Sequence, residues 1–180
     1  MRRALGLLAG SLFLAGCTTT VLRVQRDTPL KPLWGDRTLV VADVDEWFRT
    51  DAEGAIAGRL PGAVAAHTLP DRPDAADVRS SLLADADDDF GDDWDTVVLV
   101  SVEDGLRYDR SLDGDFFDSD DGYARIDFRV SVLRTGDRRE VYGMTVRSTA
   151  GGAGTGTFRQ LAGYAANRAA QELVRTRLFD

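Results

Sequence analysis

Residues 123–133 constrain the fold most, because polar and apolar side chains alternate along them. The apolar positions are Ala124, Ile126, Phe128, Val130 and Val132. A period of two is typical of an antiparallel strand with one buried face. Thr135-Gly136-Asp137 then predicts a hairpin turn, and residues 140–147 predict the returning strand. The chain is therefore expected to build its core on a β-sheet.

Two short continuous apolar runs, at 38–44 and 95–102, are typical of buried strands, and residues 63–69 predict a weaker one. Helices are predicted between them. Thr50 and Glu53 fit a capping box that opens a helix closed by Pro61-Gly62, and Pro73-Asp74 opens a second helix. Thr157 and Gln160 fit another capping box. The helix beyond it is expected to bury one stripe, made of Phe158, Leu161, Ala162, Ala165, Ala169, Leu173 and Val174.

This order predicts an α+β (or α/β) fold, a two-layer sandwich with a mixed sheet and helices packed on one face. The element order is β-α-β-α-β-β-β-α. Residues 37–180 are expected to form this single domain. Residues 17–36, with Pro29, Pro32 and Gly35, are expected to be a tether in which 21–24 can pair as one short strand.

The amino terminus has the pattern of a secretory signal. Arg2 and Arg3 are followed by thirteen uncharged residues, and Cys17 comes next. The apolar run is shorter than the roughly 20 residues that a membrane-spanning helix needs. Residues 1–16 are therefore predicted to be a signal peptide that is removed, which leaves 164 residues, enough for one domain with a core.

The residues before the predicted cleavage site, Leu14-Ala15-Gly16-Cys17, resemble the lipobox of bacterial lipoproteins. This resemblance implies that the Cys17 thiol carries a diacylglycerol and that cleavage falls directly before Cys17. Cys17 is also the only cysteine, so a disulfide framework is excluded. Thr18 follows it, and the resemblance then implies no inner-membrane retention signal. We expect a lipid-anchored protein of the outer membrane that faces the periplasm.

The charge of the chain excludes one class of partner. The precursor has a formal net charge of −8, and removal of Arg2 and Arg3 takes it to −10. Nucleic-acid binding depends on clustered Lys and Arg that neutralise phosphates, so nucleic acid is not an expected partner.

Few residues suggest catalysis. His67 is the only histidine, which excludes a two-histidine metal site, and a serine nucleophile would need His67 beside it. We interpret His67 as an ordinary residue at a strand end. The glycine-rich residues 151–156 lack the Gly-Lys-Ser/Thr of a phosphate-binding loop, so they are interpreted as a flexible connector. The chain is therefore not expected to be an enzyme or to hold a cofactor.

Two acidic clusters, at 85–95 and 109–121, leave an alternative open. Neighbouring carboxylates repel one another unless a cation or water screens them, so calcium is one interpretation of the second cluster. Neither cluster fits the EF-hand template, and a solvated acidic loop is the simpler interpretation. A third hypothesis is an Asp-dependent hydrolase with two carboxylates in a pocket. The calcium candidates are Asp113, Asp115, Asp118 and Asp120.

Three aromatic residues are candidates for binding a partner. Phe116 and Phe117 lie inside the second acidic cluster, and Trp47 follows the first predicted strand. Adjacent phenylalanines in an acidic loop either fold back onto the core or serve as an exposed anchor. The same two alternatives apply to Trp47.

The order of elements over residues 38–178 resembles the group that includes the curli-secretion lipoprotein and the penicillin-binding-protein activator lipoproteins. The amino-terminal domain of TolB is similar in outline. The residues that carry this resemblance are TLVVADV, DTVVLVSV, the hairpin around a glycine, and a terminal Ala-rich helix that ends LVRTRL. It implies a non-catalytic envelope domain that binds another envelope protein or assembles. The Asp-rich segment 109–121 departs from the group, so its partners are not carried over.

Overall fold

A six-stranded mixed sheet organises the computed structural model, which describes residues 18–25, 33, 37–83, 93–102, 123–136, 138–151 and 158–179. The strands are β1 (Thr18–Gln25), β2 (Thr38–Asp43), β3 (Ala63–Ala65), β4 (Thr96–Val102), β5 (Tyr123–Arg134) and β6 (Arg139–Gly151). The helices are α1 (Glu46–Ala57), α2 (Ala75–Leu83) and α3 (Phe158–Arg175), with a 3-10 turn at Ala66–Thr68. The predicted α+β fold with a mixed sheet is confirmed.

The strand order is β1-β6-β5-β4-β2-β3, with β2 parallel to β3 and to β4 and the other neighbours antiparallel. Helices α1 and α3 pack on one face of the sheet, as the sequence predicts. Helix α2 lies on the opposite face, against Leu39, Val41, Val97 and Leu99, so the one-face prediction does not extend to it. From β2 the chain passes through α1 to β3 at the edge of the sheet, and then through α2 back past β2 to β4. Right-handed crossovers that run in opposite directions along a sheet place their helices on opposite faces.

Helix α1 begins at Glu46, so the prediction that a capping box at Thr50 opens it is wrong. The Asp45 carbonyl accepts the N–H groups of Phe48 and Arg49 and starts the helix a full turn earlier. Phe48, Ala52 and Ile56 form one buried line on this helix. Burial of Phe48 therefore decides the start, ahead of the local capping pattern.

Helix α2 begins where Pro73-Asp74 predicts, because the Asp74 carboxylate accepts the Ala76 N–H at 2.7 Å. The hairpin between β5 and β6 is also confirmed. Its left-handed residue is Arg138, with φ 51°, and not Gly136. The Thr135 N–H donates to the Asp95 carbonyl at 3.2 Å, which ties the turn to the start of β4.

Strand β1 pairs with β6 over its whole length, from Thr18 opposite Ala150 to Gln25 opposite Gly143. Eight residues of the predicted tether 17–36 thus belong to the sheet, and the sheet begins well before the predicted boundary at residue 37. Strand β1 pairs with the outer backbone groups of β6 and is itself the edge strand of the sheet.

Strands β1, β5 and β6 continue beyond the end of β4. The last residue of β4, Val102, lies level with Phe128 of β5, Val146 of β6 and Leu22 of β1. Four further residues of β1 lead from Leu22 to Thr18, which corresponds to about 13 Å of strand. We call residues 18–21, 123–127 and 147–151 the extension.

Helix α3 buries Leu161, Ala162, Ala165, Ala169 and Leu173, as predicted. Val174 was expected on the same stripe but is 48% exposed, because a helix of 3.6 residues per turn places it on the side opposite Leu161.

Replacement of Gly163 by alanine is expected to raise the free energy of unfolding by about 0.5–1 kcal/mol. Gly163 lies inside α3, and a Cβ added there would meet nothing within 4 Å. Alanine loses less backbone entropy than glycine on folding and creates no clash. Urea denaturation at low protein concentration measures the change. A loss of stability would contradict the open space around Gly163.

Candidate functional site

The predicted site residues fall into two groups. Trp47 is described by the structure. Cys17, Phe116, Phe117 and the calcium candidates Asp113, Asp115, Asp118 and Asp120 lie outside the described residues, as do residues 152–156 of the glycine-rich segment. The calcium hypothesis for residues 109–121 and the hypothesis of an Asp-dependent hydrolase therefore stay predictions. Among the residues that the structure describes, no group of three or more His, Cys, Asp or Glu side chains could hold a metal ion.

The predicted lipid attachment site is one residue away from the sheet. Cys17 precedes Thr18 in the sequence, and Thr18 is the first residue of β1. Consecutive Cα atoms are about 3.8 Å apart, so no linker separates Cys17 from the extension. Thr18 pairs with Ala150, and Tyr123 pairs with Gly151 at the same end. The candidate anchor thus continues directly into three paired strands.

Trp47 lies near the start of α1, and 43% of it is exposed. Its indole N–H donates to the Asp45 carboxylate at 3.4 Å, and its ring lies 5.5 Å from that of Phe48. The ring therefore contacts the protein, while part of the residue is exposed. Asp43, the last residue of β2 and four residues before Trp47, is in line with Arg23 of β1 across the sheet.

A buried carboxylate lies between α1 and β3. The sequence pattern assigned it to a capping box at a helix start. Glu53 is 0% exposed. Its Oε1 accepts the Ala42 N–H at 3.1 Å and an Arg72 guanidinium N–H at 3.0 Å. Its Oε2 accepts the His67 N–H at 2.8 Å and lies 2.9 Å from His67 Nδ1. We call Glu53, His67 and Arg72 the Glu53 cluster.

The Glu53 cluster connects four parts of the chain. Ala42 belongs to β2, Glu53 to α1, His67 to the 3-10 turn after β3, and Arg72 to the segment before α2. Each carboxylate oxygen has two partners, and the fully buried carboxyl group is out of reach of a substrate in solution. The arrangement therefore holds the β2-α1-β3 crossover and the start of α2 together.

A second ion pair lies on the other side of the sheet. Asp127 and Arg147 are opposite one another on β5 and β6. The Arg147 guanidinium donates to both carboxylate oxygens of Asp127 at 2.8–3.0 Å, and the Asp127 side chain is 2% exposed. A two-pronged pair of this kind fixes the register of neighbouring strands. It stabilises the base of the extension.

No described helix is both long enough and apolar enough to cross a membrane.

The fold occurs in known proteins. No protein-family model matches the chain, and no curated protein matches its sequence significantly. The solved structure of the PelC dodecamer from Paraburkholderia phytofirmans is 13% identical, with a TM-score of 0.50 over 89% of this chain and 98% of that chain. Lipoprotein GNA1162 from Neisseria meningitidis is 14% identical, with a TM-score of 0.42 over 77% of this chain and 98% of that one. The PelC comparison shows a shared fold.

Proposed function

We propose that this protein is a lipid-anchored lipoprotein of the bacterial cell envelope that acts as a non-catalytic binding or assembly module. The observation that carries the proposal is the position of Cys17, which ends the lipobox-like Leu14-Ala15-Gly16-Cys17 and lies directly before β1. A diacylglycerol with an additional amide-linked chain provides the two or more lipid signals that stable anchoring needs.

Attachment at Cys17 would also orient the domain. Because β1 begins at Thr18 and is paired from its first residue, the lipid would be joined to a folded strand and not to a flexible chain. The extension would then keep the ends of β2 and β4 about 13 Å farther from the bilayer than Thr18. Such a domain presents the same surface to every partner that shares its membrane.

The Glu53 cluster supports the non-catalytic part of the proposal. His67 is the only histidine of the chain, and its Nδ1 contacts a carboxylate that is fully buried. This carboxylate accepts hydrogen bonds from two backbone N–H groups and from Arg72. Such a network connects segments of the fold, which is a structural role. A hydrolytic role for His67 would require a nucleophile beside it, and the sequence offers no recognisable one.

Two observations support assembly and location. PelC, which shares the fold, is described as a dodecamer, so this fold can serve as a subunit of an assembly. Thr18, and not an aspartate, follows Cys17, which by the lipobox resemblance favours the outer membrane over inner-membrane retention. We therefore place the module on the periplasmic side of the outer membrane, with another envelope protein or further copies as its partner.

Replacement of Cys17 by alanine is expected to move the protein from the membrane fraction to the soluble fraction, because the acceptor of the lipid is lost while the fold is retained. Fractionation of cells with metabolic palmitate labelling measures both properties. Thr19→Ala is the matched control, since it changes β1 and leaves the thiol in place; it should stay labelled and membrane-bound. A Cys17→Ala variant that remains in membranes without label would overturn the proposal.

A further inference from the structure

Strand β1 follows the predicted cleavage site directly. Among the described strands it pairs with β6 alone, in an uninterrupted antiparallel register that begins with Thr18 opposite Ala150. In the sequence, only Cys17 separates Thr18 from the Gly16–Cys17 peptide bond. When β1 is fully paired, the bond to be cleaved is therefore one residue away from a ribbon of three paired strands, β1, β6 and β5.

The lipoprotein proposal requires two covalent steps at Cys17. In the first, the thiol attacks a phospholipid: a bond forms between Sγ and a glycerol carbon, the bond from that carbon to a phosphate oxygen breaks, and the thiol proton is released. In the second, water hydrolyses the Gly16–Cys17 bond, adding its hydroxyl group to the Gly16 carbonyl carbon and a proton to the Cys17 nitrogen. Each step brings the reacting groups to within about 3–3.5 Å of one another in an enzyme active site.

The paired state of β1 obstructs both steps. Proteolysis favours chain segments whose backbone is not hydrogen-bonded within the fold. An active site that encloses Cys17 also meets the residues after it, Thr18 and Thr19, which are paired with β6. Strand β5 reaches the same level through Tyr123, opposite Gly151 of β6. Access to Cys17 therefore requires β1 to be detached from the sheet.

Strand β1 can detach without a change in the rest of the sheet. It is the end strand, so the other five strands keep their order when it leaves. The next strand, β2, begins only at Thr38. With β1 detached, the chain from Cys17 to Thr38 can reach about 70 Å when extended. Detachment thus supplies the reach that the tether predicted at residues 17–36 was expected to provide.

We propose that β1 joins the sheet only after lipid transfer and cleavage at Cys17. In the precursor the sheet ends at β6, and the chain before Thr38 acts as a tether that delivers Cys17 to the processing enzymes. In the mature protein β1 pairs with β6 and brings Cys17 next to the extension. The inference rests on the proposed lipoprotein function and places the docking of β1 after processing.

A disulfide between β1 and β6 tests this order. Thr19 and Thr149 are directly opposite, and opposite residues of antiparallel strands have Cα atoms about 4.5–5.5 Å apart, which a disulfide can span. The Thr19→Cys/Thr149→Cys precursor is purified in detergent and oxidised, mass spectrometry verifies that Cys17 stays free, and bacterial membranes with the processing enzymes are added. The oxidised precursor is expected to be lipidated and cleaved roughly ten times more slowly than the same sample after reduction, because only the detached state reacts.

Arg125→Cys/Thr149→Cys is the matched control, because it bonds the same position of β6 to β5 instead of β1. Its precursor should be processed at the same rate before and after reduction. A third variant inserts a flexible Gly-Ser linker of about six residues between Cys17 and Thr18 of the Thr19→Cys/Thr149→Cys protein. The linker moves the cleaved bond away from the paired ribbon, so it should restore processing of the oxidised precursor. A misfolded precursor would not be rescued in this way.

The outcomes separate this inference from the proposed function. If the oxidised Thr19→Cys/Thr149→Cys precursor is processed as fast as its reduced form, or if the linker does not restore processing, β1 does not need to detach and the inference is wrong. If the unmodified precursor acquires no lipid and is not cleaved in the same membranes, the lipoprotein proposal itself fails.

Discussion

Replacing Glu53 with alanine is expected to lower the free energy of unfolding by about 3–5 kcal/mol. The carboxylate is 0% exposed and accepts N–H groups of Ala42, His67 and Arg72. Its removal leaves backbone donors without an acceptor in a place that water does not reach, and Arg72 loses the partner of its charge. The loss should be large because one side chain satisfies four contacts at once.

Urea denaturation followed by circular dichroism measures this loss, with Glu46→Ala as the matched control. Glu46 is an exposed glutamate in the first turn of the same helix, and its removal should cost about 0.5 kcal/mol through the helix dipole. His67→Ala provides a second comparison. It removes the ring contact but keeps the backbone N–H bond to Glu53, so a smaller loss is expected than for Glu53→Ala. If Glu53→Ala costs no more than Glu46→Ala, the Glu53 cluster does not hold the crossover together.

Phe48→Ala is expected to destabilise the protein by a similar amount, about 3–5 kcal/mol. Phe48 is 2% exposed, and its ring stacks on that of Phe128 with 5.4 Å between centroids and an angle of 3° between planes. The stack joins the first turn of α1 to the centre of β5. Alanine leaves a cavity between helix and sheet, and the surrounding side chains can fill it only in part.

The neighbouring residue provides the control for Phe48. Trp47→Ala removes a larger side chain that is 43% exposed, so it should cost about 1 kcal/mol or less. Melting temperatures and urea midpoints of the two variants are compared side by side. Equal losses for both variants would mean that α1 is not anchored to the sheet through Phe48.

The strands were predictable because their signals are local. The alternation in β5 and the continuous apolar runs of β2 and β4 lie within single elements, and each run appears as a strand. The continuous apolar runs of β2 and β4 also indicate that both faces of these strands are covered, and the two-layer prediction did not use this signal. A strand buried along every residue has both faces covered, and Val40 and Val41 indeed contact opposite layers. The position of α2 on the second face follows from the reversal of the crossover at β3.

The Glu53 cluster was not predictable from local patterns. In sequence, Glu53 is 11 residues from Ala42, 14 from His67 and 19 from Arg72, and these residues meet only through the β2-α1-β3 crossover. Thr50 and Glu53 matched a capping box by spacing alone, which assigned Glu53 to a helix start when it lies two turns inside α1. Burial of Phe48 competes with that pattern and prevails, since tertiary contacts outweigh a single cap.

The candidate anchor could be predicted from the sequence, whereas its relation to the fold could not. Pro29, Pro32 and Gly35 suggested a tether, but they follow β1 and do not interrupt it. Pairing of Thr18 with Ala150 links residues 132 positions apart, which no local signal reveals. The structure thereby changes the expected attachment from a flexible one to a strand that starts at the residue after Cys17.

The most direct test of lipid anchoring is the mass of the amino-terminal peptide of the mature protein, isolated from membranes. The proposal predicts a chain that begins at Cys17 and carries a diacylglycerol on the thiol, with a further acyl chain on the amino group. A peptide that begins upstream of Cys17, or one that begins there with a free thiol, would contradict it.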